Sequence, residues 1–135
     1  MPTKRTRFGK DIVAEYLSPA RKTKKTKVII LLGGMPSHPS RRDILEFLAK
    51  KGYWAFQPRY RGSWESGGMF LKYSPAEDVS ILLDHLQTGF RDAWSGETRV
   101  LKPDEVIIIG VSFGGAAALL ASRDARVDKV IAFSP

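Results

Sequence analysis

The chain has 135 residues, 43% of them hydrophobic and 27% charged, a composition that suits one globular domain rather than a disordered chain. It contains no cysteine, which excludes disulfides, a thiol nucleophile and thiolate metal sites. The formal net charge is +8, but the excess is local: residues 1–27 hold nine Lys/Arg against Asp11 and Glu15, while the remaining residues hold 13 basic and 12 acidic side chains. This reads as a basic N-terminal β-hairpin region, 1–27, whose lysines keep a strand edge from aggregating. No nucleic-acid partner is expected, because no helix-turn-helix, zinc-finger or RNP pattern accompanies the charge. The apolar runs Val28 to Leu32 and Val106 to Ile109 are too short to cross a bilayer, and no apolar stretch follows the N-terminal charges as a secretory leader requires. The expectation is a cytoplasmic protein without a membrane partner.

Asp11 to Leu17 reads as a strand ended by Ser18-Pro19, and Arg21 to Lys27 as a polar turn. Val28 to Leu32 is a β-branched and leucine run stopped by Gly33-Gly34; apolar on both faces, it suits a parallel sheet covered on both sides. After the loop Met35 to Pro39, Ser40 is placed to cap a helix with Ile44, Leu45, Phe47 and Leu48 on its apolar side, ended by Lys50-Lys51-Gly52. Tyr53 to Phe56 is a second buried strand, followed by the loop Pro58 to Ser63, with Gly67-Gly68 expected to keep that excursion flexible. Ser74-Pro75-Ala76-Glu77 opens a capped helix, whose Val79, Leu82, Leu83 and Leu86 form one apolar stripe. Thr88 to Pro103 is polar and irregular and includes Trp94. Glu105 to Ile109 is a third buried strand, a small-residue helix runs from Gly114 to about Ser122, and Lys129 to Phe133 is a fourth strand. Strands alternating with helices predict a single α/β domain over 1–135, a mostly parallel sheet with helices on both faces.

The third strand runs directly into Gly110-Val111-Ser112-Phe113-Gly114, and a helix follows at once. Gly-x-Ser-x-Gly in that setting is a nucleophile elbow, in which a strained strand-to-helix turn lifts the serine Oγ clear of the sheet. Gly110 and Gly114 are there because a Cβ at either would collide with the neighbouring strand and helix. The helix N-terminus aims N–H groups and partial positive charge at the place where an oxyanion forms. The expected oxyanion donors are the backbone N–H of Phe113 and that of Gly34 or Met35. The glycine spacing fits neither G-x-G-x-x-G nor a P-loop, so a nucleotide loop is the weaker reading.

Gly33-Gly34-Met35-Pro36, Tyr60-Arg61-Gly62-Ser63 and the elbow with Gly115 together resemble the α/β-hydrolase superfamily, over roughly Asp11 to Pro135. Arg59 to Ser63 with Gly67-Gly68 is similar to the prolyl-oligopeptidase and acyl-peptidase branch, although Gly33 stands where that branch often has His. The resemblance implies a partial α/β-hydrolase fold that ends after the strand following the nucleophile helix. It implies a serine hydrolase acting on small-molecule or peptide esters or amides through an acyl-enzyme, with no metal or organic cofactor.

In that fold the triad order is Ser, Asp/Glu, His. Only Asp124 and Asp128 follow Ser112 among the acids, and neither His38 nor His85 does. Asp128 is expected at the end of the sheet opposite the elbow, Asp124 in a solvated loop, His85 on the flank of a packed stripe, and His38 in the loop that approaches Ser112. Two readings follow. In the first, the acid and base lie outside this chain, in a complementary C-terminal segment, and the chain alone is inactive. In the second, the half-fold is a non-catalytic binding or assembly module that self-associates through its exposed sheet edge. The loops Arg59 to Met69 and Thr88 to Pro103, with Trp64 and Trp94, are expected to shape the substrate pocket.

Overall fold

The computed structural model describes residues 3–33, 41–61, 66–67 and 74–133. The chain opens with a hairpin of β1 (Lys4–Phe8) and β2 (Ile12–Leu17), paired antiparallel. β1 lacks an apolar run, and only alternation marks it: Thr6 and Phe8 are buried while Arg5 and Arg7 alternate with them. Then follow β3 (Lys27–Leu32), α1 (Arg42–Lys50), β4 (Trp54–Pro58) and α2 (Pro75–Thr88). A short hairpin of β5 (Phe90–Arg91) and β6 (Thr98–Arg99) precedes β7 (Glu105–Val111), α3 (Phe113–Ala121) and β8 (Lys129–Phe133).

The main sheet has the order β1-β2-β4-β3-β7-β8. β4, β3, β7 and β8 run parallel, and β2 joins β4 antiparallel. One face packs Phe8, Tyr16, Val28, Ile30, Leu32, Phe56 and Ile108 against the α2 stripe Val79, Leu82, Leu83 and Leu86 and the α3 alanines. The other packs Leu17, Ile29, Leu31 and Ile107 against Leu45, Leu48 and Ala49 of α1. Alternate residues of β3 therefore serve opposite faces, which is why its sequence is apolar throughout. This is the mostly parallel sheet with helices on both faces that the sequence predicts.

The helix starts are partly as expected. At α2, Ser74 Oγ accepts from the Ala76 N–H at 3.2 Å and Pro75 occupies the first turn; the Glu77 carboxylate lies 3.5 Å from Arg61. At α1 the N-cap position is Arg41, whose own N–H donates to Gln57 Oε1 at 2.8 Å, while Ser40 lies outside the described residues. Gly67 is pinned rather than loose: its N–H donates to the Asp11 carbonyl at 2.8 Å, and a Cβ there would meet Asp11 Oδ1 at 2.9 Å. Gly68 lies outside the described residues. No helix among the described residues is long and apolar enough to cross a membrane.

Candidate active site

Ser112 stands between β7 and α3 at φ 55° and ψ −117°. A positive φ in a non-glycine residue is uncommon, and holding one costs on the order of 1–3 kcal/mol. The surroundings enforce it. On one side the Ser112 N–H donates to the Phe133 carbonyl at 2.8 Å, continuing the β7–β8 ladder; on the other its carbonyl accepts from Gly115 N–H at 2.8 Å and Ala116 N–H at 3.2 Å, starting the helix. Ser112 is exposed, and its side chain makes no cap hydrogen bond to α3. The hydroxyl is thus presented to solvent at the end of a buried strand.

Two glycines make the turn possible. A Cβ on Gly110 would stand 2.1 Å from the Gly114 carbonyl oxygen, and one on Gly114 would stand 2.1 Å from the Leu32 carbonyl oxygen and 2.7 Å from that of Gly33. Real Cβ atoms do not approach backbone so closely, so α3 can lie against β7 and β3 only with glycine at both positions.

Gly33, the last described residue after β3, is held to the elbow by a residue whose part the sequence left unassigned. Tyr60, just past β4, donates its hydroxyl to the Gly33 carbonyl at 2.8 Å, and its ring meets Phe113 edge-on with centroids 5.1 Å apart. Burial pushes the Tyr60 phenol well above its ordinary pKa, with the charge of Asp78 adding to the effect, so the hydroxyl remains a donor at neutral pH. Gly34 and Met35, the expected second oxyanion donors, lie outside the described residues. So do His38, Gly62, Ser63, Trp64 and Met69.

Arg61 and Asp78 fix the chain beyond Tyr60. The Asp78 carboxylate accepts from the Arg61 backbone N–H at 3.0 Å and from its Nε. Burial raises the Asp78 pKa, while the hydrogen bonds and charge of Arg61 oppose the rise. Asp78 is 4% exposed. The sequence does carry a signal for it: Asp78 falls in register with Leu82 and Leu86 at i, i+4, i+8, an acid on the buried face of a helix.

The other titratable candidates lie elsewhere. His85 is half-buried near the end of α2, its Nδ1 3.4 Å from the Gly89 carbonyl and its ring beside Phe8. Asp128 binds the Val106 N–H at 2.8 Å at the start of β7, opposite the elbow. Asp124 is not a freely solvated loop residue, because Arg126 Nη2 lies 2.7 Å and Nε 3.0 Å from its carboxylate. The Arg126 hydrogen bonds hold its pKa below the usual carboxylate value, against a smaller opposing push from burial.

The segment Thr88 to Pro103 corrects the expectation that it shapes a pocket beside Ser112. β5 lies along β1: Thr6 Oγ1 donates to the Arg91 carbonyl at 2.7 Å, and Ala93 N–H to that of Arg5 at 2.7 Å. Trp94, 79% exposed, therefore sits at the β1 edge. Four strand spacings, roughly 19 Å, separate that edge from β7. The segment then returns beneath the sheet, where Asp104 N–H donates to the Thr26 carbonyl.

No protein-family profile matches the chain, and no curated protein matches it. Solved structures do. An esterase from Pyrococcus furiosus superposes with a TM-score of 0.68 at 20% identity, over 99% of this chain and 50% of its own. Est1E from Butyrivibrio proteoclasticus, solved with ferulic acid, superposes at 0.64 and 17% identity over 88% and 47%. The chain has a partial α/β-hydrolase fold. An epoxide hydrolase from Vigna radiata shares it at 0.68 and 15% identity, over 94% of this chain and 37% of its own. The chain thus spans half or less of the length of these three α/β-hydrolase-fold enzymes, and their resemblance extends to the fold.

Proposed function

We propose that the chain is the nucleophile-bearing part of a serine hydrolase that cleaves esters or amides through an acyl-enzyme. The observation that carries this reading is the exposed Ser112 at φ 55°, held between two glycines whose Cβ positions are occupied by backbone. Strain of this kind persists only where the surroundings over-determine it, and here it serves to present one hydroxyl at a helix N-terminus. In this mechanism Ser112 Oγ loses its proton to a base and attacks the carbonyl carbon. The backbone N–H of Phe113, with that of Gly34 or Met35, stabilises the oxyanion. The leaving group departs protonated, and water then releases the acyl group.

The triad acid and base are supplied from outside the described residues, since His85, Asp124 and Asp128 are each engaged away from the elbow. The described part of the stretch that resembles the prolyl-oligopeptidase branch, Tyr60 and Arg61, braces the elbow and the α2 entry, so it supports a hydrolase without selecting a peptide over an ester. A cytoplasmic setting suits the cysteine-free sequence.

The test is an ester with a chromogenic leaving group, p-nitrophenyl butyrate, with imidazole added as a surrogate base. The expected result is a nitrophenolate burst that rises with imidazole and is absent in Ser112→Ala; equal release by both proteins would overturn the assignment.

The assembly reading has one observation of its own. Val111, Leu119, Leu120, Ile131 and Phe133, on β7, α3 and the edge strand β8, are exposed apolar side chains, and Phe133 is 54% exposed. This surface suits a further strand and helix of the same fold, and an edge so apolar favours pairing. Sedimentation should show self-association that Ile131→Lys with Phe133→Lys removes; a monodisperse wild-type monomer would sink this reading.

A further inference from the structure

The cationic excess at the N-terminal end of the sequence divides into two places in the fold. Lys4, Arg5 and Arg7 stand on the edge strand β1 and Lys10 in its turn to β2, and Arg5 lies 3.8 Å from the buried carboxylate of Glu15. The second group is not on an edge. Arg21, Lys22, Lys24, Lys25 and Lys27, on the loop from β2 to β3, join Lys51 at the end of α1 around an open hollow of about 410 Å³.

The loop is held in place. Ala20 N–H donates to the Ala49 carbonyl at 2.9 Å and Arg21 Nη2 to the Lys51 carbonyl at 3.1 Å, both near the C-terminus of α1. The Thr23 hydroxyl donates to the Lys25 carbonyl at 2.9 Å, and Thr26 N–H to Asp104 Oδ2 at 2.7 Å. Gly52, at φ +97°, forms part of the wall, and a Cβ there would stand 3.0 Å from Thr23 Cγ2. The negative end of the α1 dipole favours cations in this place.

Among the described residues none of the six cations joins an ion pair. Six like charges facing one hollow repel one another, and a single multivalent anion relieves all the repulsions together. Lys27 opens β3 where Glu105 opens β7, so the hollow lies at the end of the sheet opposite Ser112, which is more than roughly 20 Å away along β7. It is independent of the hydrolase chemistry.

We propose that this hollow binds a compact polyphosphate group, carried by a soluble metabolite or by a phosphorylated lipid headgroup. Its shape and lining favour that ligand. The six cationic residues line one concave volume, whereas an extended nucleic-acid strand needs a track of charge with rings for base stacking. Among the described residues no aromatic side chain lines the hollow, and the exposed Phe47 ring of α1 already has Lys51 Nζ 5.4 Å above it. Among the described residues no apolar side chain lines it either, so a lipid would be held by its headgroup phosphates and not by insertion into the bilayer.

The experiment is calorimetric titration of the full chain with sodium tripolyphosphate, for the wild type, Lys24→Glu/Lys25→Glu and Lys4→Glu/Arg7→Glu. The two variants change net charge equally, and circular dichroism checks that each is folded. The expected result is saturable one-to-one binding, weakened about tenfold or more by the loop pair and less than about twofold by the hairpin pair. Absence of saturable binding, or equal weakening by both pairs, would overturn the proposal. So would a single-stranded oligonucleotide that binds more tightly than tripolyphosphate. Vesicles with and without phosphatidylinositol bisphosphate separate the two sources. Vesicle binding that tripolyphosphate displaces assigns a headgroup; tripolyphosphate binding without vesicle binding assigns a soluble ligand.

Discussion

The carbonyl oxygen of Gly114 occupies the space that a Cβ on Gly110 would enter, with only 2.1 Å between them. A single methyl group at residue 110 thus has to push α3 away from β7, and α3 packs on both β7 and β8. Gly110→Ala should lower stability by at least about 3 kcal/mol, at the upper end for overpacking, because backbone rather than a movable side chain is in the way. The midpoint of urea unfolding measures it. A loss under about 1 kcal/mol would mean that α3 does not lie against β7 as described.

Tyr60→Phe tests the brace between β3 and the elbow. The substitution keeps the ring against Phe113 and removes only the donor to the Gly33 carbonyl. Leaving that acceptor without its partner should cost about 1–2 kcal/mol, read from the same unfolding midpoint. Since Gly33 leads into the expected oxyanion loop, the imidazole-assisted burst from Ser112 should also slow in this variant. An unchanged burst would separate Tyr60 from the site.

Asp124 and Arg126 predict a pH dependence with a definite sign. The folded-state pKa of Asp124 is lowered, chiefly by the Arg126 hydrogen bonds. Its contribution to stability is therefore complete above the ordinary carboxylate value and lost as the pH falls through the folded value. Below about pH 4 the wild type should lose stability more steeply than Asp124→Asn, which has no such proton to bind. Urea midpoints at a series of acidic pH values check this, and parallel curves for the two proteins would contradict it.

Much of this arrangement is legible in the sequence where chemistry is local. Gly110, Ser112 and Gly114 have residue types that the turn itself demands, and β3 and β7 are apolar on both faces because helices cover both. The parts that were not legible depend on contacts between distant residues. β1 shows only three basic residues around Thr6 and Phe8, and nothing local says that β2 will lie between β1 and β4. Trp94 has no periodic neighbours to show which edge of the sheet it joins, so its place beside β1 appears only in the fold. The Tyr60 hydroxyl finds Gly33 across 27 residues, a pairing that no spacing announces.

The central claim is that Ser112 is the nucleophile, and covalent labelling with a fluorophosphonate in the presence of imidazole tests it most directly. An added base restores part of the roughly 10²–10⁴-fold that a positioned general base contributes. Peptide mapping by mass spectrometry should find one adduct, on Ser112, that forms faster as imidazole rises and is lost in Ser112→Ala. An adduct that persists in Ser112→Ala, or none on Ser112 at saturating imidazole, would contradict the account.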